Sequence, residues 1–209
     1  VQPQPIKATP ILHTLTRMES GAGYTYNNFM FSRRLLKKII PPYFRPLPIG
    51  TDIDFLLRAL LGGVAAYNLA DILYYYRQHD QQVTRASDIS FLAVAAVYYN
   101  FYYQRDLGGP DLLAQFFRQH DALDKNNVID ALLLFLPIAN IRYHRVFIQR
   151  LMIRRIKTLF GGQAVNKKLW AACWRHQPKE LARAFLFGLW FNLIRFFIYK
   201  LRGRYFFFD

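Results

Sequence analysis

The chain has 209 residues, 53% hydrophobic and 17% aromatic, with 28 Lys/Arg against 13 Asp/Glu for a formal net charge of +15. The apolar share excludes a largely disordered chain, and a mean hydropathy of only +0.03 argues against a polytopic transporter. The lone cysteine, Cys173, excludes a disulfide scaffold.

The charge is unevenly placed. Residues 131–209 hold fifteen Lys/Arg and two acids, Glu180 and Asp209, a local +13 that leaves +2 for the first 130 residues. These bases interrupt apolar and aromatic runs instead of forming a polar tail, so this half needs both an anionic partner and a place for its hydrocarbon. We read the chain as all-α. One to three helices span a membrane or lie on its surface, behind an extended Pro-rich arm. Three regions follow: the arm at 1–50, a helical region at 51–130, and a basic, aromatic helical region at 131–209.

Seven of the ten prolines lie in residues 1–50, which keeps both ends of the arm extended, with a short basic helix expected between Asn28 and Ile40. An arm with so little core of its own is either loose or laid along a partner subunit. Thr51 or Asp52 is the expected N-cap of the next helix. Phe55 to Tyr76 carries only Arg58 and Asp71 as charges. As a helix it would run ~33 Å, enough for a bilayer core of roughly 30 Å. Gly62, Gly63, Ala65, Ala66 and Ala70 would allow close helix packing, and Asp71 would have to face protein or water. The competing reading is a buried helix of a bundle.

Ile89 to Gln104 is a second charge-free run whose Tyr/Phe end resembles an interfacial belt, stopped by Gly108-Gly109-Pro110. A short amphipathic helix follows at Asp111–Asp124, then a turn at Asn126-Asn127, and an apolar stretch to Ile141 that carries Pro137. The clearest amphipathic element is Arg142 to Phe160. Its basic side includes Arg142, Arg145 and Arg154, and Ile141, Ile148, Met152, Ile156 and Leu159 fall opposite. Gly161-Gly162 closes it. Lys167-Lys168 and the Trp170/Trp174 pair come next. The candidate membrane helix 181–199 is last, with Lys200, Arg202 and Arg204 after it. By the positive-inside bias these three bases would put the C-terminus on the matrix side of an inner membrane.

No motif carries catalysis, so we expect no enzyme, no metal site and no cofactor beyond a bound phospholipid. In each of the pairs His79-Asp80 and His120-Asp121 the two residues point about 100° apart on a helix and cannot easily share a metal. Cys173 lies near Arg175 and His176, which would favour a thiolate, yet an apolar setting suits an inert thiol better. None of the Gly-Gly pairs sits in a phosphate-binding loop.

Arg142, Arg145, Arg150, Arg154, Arg155, Lys157, Lys167 and Lys168, with Trp170 and Trp174, form the candidate site for anionic lipid, cardiolipin-type head groups included. The alternative partner is nucleic acid, for which a pI near 10.1 is the usual electrostatic footprint. The long charge-free aromatic runs favour lipid.

Val1 as a start, the Pro-rich arm, the helices of marginal span and the acid-poor stretch 131–208 together resemble the nuclear-encoded accessory subunits of mitochondrial inner-membrane complexes, a respiratory complex or the ATP synthase. The resemblance implies a structural role among several subunits and contact with cardiolipin. It transfers no catalytic residue. An organellar ribosomal protein that binds rRNA through 131–209 is the alternative.

Overall fold

The computed structural model describes residues 4–6, 32–37, 39, 47, 50–64, 66–68, 88–122, 124–159 and 166–201. Their regular elements are helices apart from one short antiparallel ribbon, in which β1 (Gln4–Ile6) pairs with β2 (Ala66–Asn68) and Pro5 faces Tyr67. The chain forms two compact units, Val1–Phe135 and Leu136–Asp209.

In the first unit, α1 (Arg33–Leu36) lies inside the stretch expected to be a short basic helix, and Ser32 caps it by accepting from the Arg34 N–H. Helix α2 (Thr51–Leu61) starts one residue earlier than expected, with Gly50 rather than Thr51 or Asp52 in the cap position. Asp54, buried on its first turn, pairs at 2.9 Å with Arg58 one turn on.

The candidate span 55–76 is not one helix. It ends at Leu61, and by Ala66 the chain is a strand. The cause is a Schellman ending. Gly63 takes the left-handed φ of 73°, its N–H reaches the Leu60 carbonyl, and the Val64 N–H reaches back to Ala59 at 3.1 Å. Val64 then packs on the cluster of Leu35, Ile39, Phe55 and Ala59, which is the apolar contact that usually completes this ending. Asp71 and Tyr74–Tyr76 lie outside the described residues.

Helix α3 (Asp88–Leu107) packs against α2 and α5 (Lys125–Leu133). Its aromatic end is core, not an interfacial belt, because Tyr98, Tyr99 and Tyr102 are fully buried. Tyr99 stacks on Phe135 with ring centres 5.7 Å apart, and Tyr103 meets the same ring edge-on. Gly108, at φ 62°, ends the helix as the sequence suggests.

The expected helix 111–124 shrinks to α4 (Leu112–Phe116), capped by Asp111. Asn126-Asn127 is no turn but the first turn of α5. Asp124 caps that helix by accepting from the Asn126 N–H at 2.9 Å, a side-chain bond that outweighs the turn preference of Asn.

In the second unit, α6 (Tyr143–Leu159), α7 (Lys167–His176) and α8 (Pro178–Leu201) pack so that α8 touches both of the others. Among the described residues no helix is long and apolar enough to cross a membrane. The candidate span 181–199 is helical throughout, but the side chains of 189 and 191–199 lie outside the described residues.

Candidate functional site

Helix α6 turns the expected side inward. Ile141, just before it, and Ile148 and Met152 are buried, and Tyr143, His144, Phe147 and Leu151 widen that face. Arg142 and Arg145 are exposed and Arg150 is half-buried. The backbone of Arg154, Arg155 and Lys157 continues the helix, but their side chains, like those of Ile156 and Leu159, lie outside the described residues. So do Gly161-Gly162 and the His79-Asp80 pair.

Helix α7 begins at Asn166, whose side chain accepts from the N–H groups of Lys168 and Leu169 at 2.9 and 3.2 Å. Leu169 and Cys173, four apart, are buried and set the inward stripe. The 100° turn per residue then places Lys167, Lys168, Ala171, Trp174 and Arg175 on the outward arc, and all five are exposed. The tryptophan pair is therefore split, with Trp170 half-buried and Trp174 53% exposed. No acid lies in the first turn, and Arg175 and His176 in the last turn complement the helix dipole.

Helix α8 holds a surface absent from the sequence-derived site. Leu181, Ala184 and Gly188, at i, i+3 and i+7, form its buried stripe. Away from that stripe Phe185, Leu186, Phe187 and Trp190 are exposed, Leu186 and Trp190 to 65% each. A signal existed, because an apolar helix with no polar face either is buried all round or meets something apolar.

Two titratable groups inside this unit are held neutral. Burial pushes the His144 imidazole below its ordinary value, against the opposing pulls of its Ile138 hydrogen bond and the Glu180 charge. A carbonyl only accepts, so the 2.8 Å contact from Nε2 to the Ile138 oxygen places the ring proton on Nε2. Burial pushes the Cys173 thiol up to about 12, so it is neutral and a poor nucleophile near neutral pH. Glu180 instead accepts from Arg183 Nη1 at 2.7 Å.

Among the described residues no three His, Cys, Asp or Glu side chains group to hold a metal. His120 is exposed, stacks on Phe116 with ring centres 4.1 Å apart, and bonds the Phe116 carbonyl through Nδ1. The described residues of the second unit offer exposed cations and aromatic surface. No family model, curated protein or solved structure matches the chain.

Proposed function

We propose that the chain is a non-catalytic accessory subunit of a mitochondrial inner-membrane complex, a respiratory complex or the ATP synthase. In this reading residues 136–209 rest on the matrix leaflet and hold anionic phospholipid such as cardiolipin. The observation that carries the reading is the outward arc of α7, where exposed Lys167, Lys168 and Arg175 stand with exposed Trp174 and no acid. Bases attract phosphate head groups, and an indole is at home at the level where water meets acyl chains. Arg142, just before α6, and Arg145 on it add to the same field.

The net charge of +15 favours a second reading, an organellar ribosomal protein bound to rRNA. Isolation from organelles in mild detergent separates the two. Inner-membrane subunits and cardiolipin co-purify under the first reading, and ribosomal proteins with rRNA under the second.

A further inference from the structure

The geometry points to the exposed face of α8 as the surface that enters the membrane, with the hydrocarbon margin of an anionic phospholipid leaflet as its occupant. This rests on the lipid reading above and goes beyond it, since the sequence-derived site contains no residue of α8.

Lys179, Arg183, Leu186 and Trp190 follow one another at i, i+4, i+7 and i+11, which is a single line along a helix. All four are exposed, and Phe185 and Phe187 flank the line, each about half exposed. Lys179 to Trp190 spans ~16 Å along the axis. The two bases stand at its N-terminal end and the large apolar groups at the other. A leaflet has the same order, with phosphates outside and acyl chains within, and basic side chains reach back to the phosphates from partly inserted stems.

Charge argues against a second copy as the occupant. Paired parallel, two such lines would put Lys179 and Arg183 against their own kind. Paired antiparallel, they would press those bases onto Leu186 and Trp190. No acid between Glu180 and Asp209 is available to relieve either arrangement. The only acid beside the line, Glu180, already bonds Arg183. An anionic leaflet satisfies both ends at once.

The test uses the purified full chain with vesicles of phosphatidylcholine, alone or mixed with cardiolipin. In a Trp170→Phe, Trp174→Phe background the emission of Trp190 shifts to the blue with the mixed vesicles and is quenched by brominated acyl chains. The Phe185→Ser, Leu186→Ser variant has both changes on the exposed face, and its far-UV dichroism verifies the fold. Its partition onto mixed vesicles falls about tenfold. If the parent binds mixed vesicles and this variant binds equally well, α8 is not the entry surface, while the lipid reading stands. If the parent ignores mixed vesicles, both fail. If the variant keeps its vesicle binding and only loses a dimer seen by sedimentation, the face belongs to a second copy and the inference is overturned.

Discussion

The side-chain amide of Gln177 donates a 2.8 Å hydrogen bond to the backbone carbonyl of Leu136, 41 positions earlier. Gln177 sits in the joint between α7 and α8, and Leu136 is fully buried. One bond therefore ties the α7–α8 corner to the start of its unit. Gln177→Ala strands a buried acceptor, and we expect a loss of about 1–3 kcal/mol in urea unfolding. A change under a few tenths would mean that another donor reaches the carbonyl.

His144 makes the stability of the second unit depend on pH. Its folded-state value is depressed by burial, so the unfolded chain takes up a proton more readily. The contribution is complete above about 6.5, the ordinary imidazole value, and is lost as the pH falls through the lower folded value. Denaturant midpoints should therefore drop on acidification below about 6.5, and His144→Gln should flatten that part of the profile. A midpoint in the parent that rises on acidification there would contradict the assignment.

Cys173, held at about 12 by burial, should alkylate slowly. Near pH 8 iodoacetamide should react roughly a thousandfold slower with the folded chain than with the chain in urea. Equal rates would show that the thiol is open to solvent and ionised.

Asn100 is 2% exposed and joins α3 to α4. Its Nδ2 donates to Asp111 Oδ1 at 3.0 Å and its Oδ1 accepts from the Leu113 N–H at 3.1 Å. Asn100→Ala leaves that buried N–H unpaired and should cost about 2 kcal/mol or more. Asn100→Asp keeps the shape but sets one carboxylate against another. Its deficit should be largest at neutral pH and shrink in mild acid as the pair shares a proton, which thermal melts at two pH values would reveal.

Much of the helical order was legible because local chemistry and burial agree. Asp111 caps α4, Gly108 ends α3, and the alternation of Arg142 and Arg145 with Ile148 and Met152 gives α6 its sides. Two errors share one cause, that an apolar residue does not say what covers it. The tyrosines of α3 looked like a membrane belt and are core, packed on α5 and Phe135. Gly62-Gly63 looked like a packing surface within a long helix, whereas Gly63 ends the helix in a conformation that glycine adopts without strain. The sequence marks 181–199 as a candidate membrane helix but does not show which of its sides is covered. Residues 181–190 are apolar on nearly every side, and only packing shows that Leu181, Ala184 and Gly188 face inward.

Under the proposed function, residues 136–209 serve a lipid surface rather than RNA. Competition between fluorescent structured RNA and cardiolipin-containing vesicles for the full chain, read by co-sedimentation as salt is raised from ~0.05 to ~0.2 M, tests it most directly. Contacts to RNA phosphates release counterions and weaken by orders of magnitude over that range, whereas buried apolar surface is not screened. We predict that the chain stays with the vesicles at the higher salt and leaves the RNA. Retention on RNA with release from the vesicles would contradict the account.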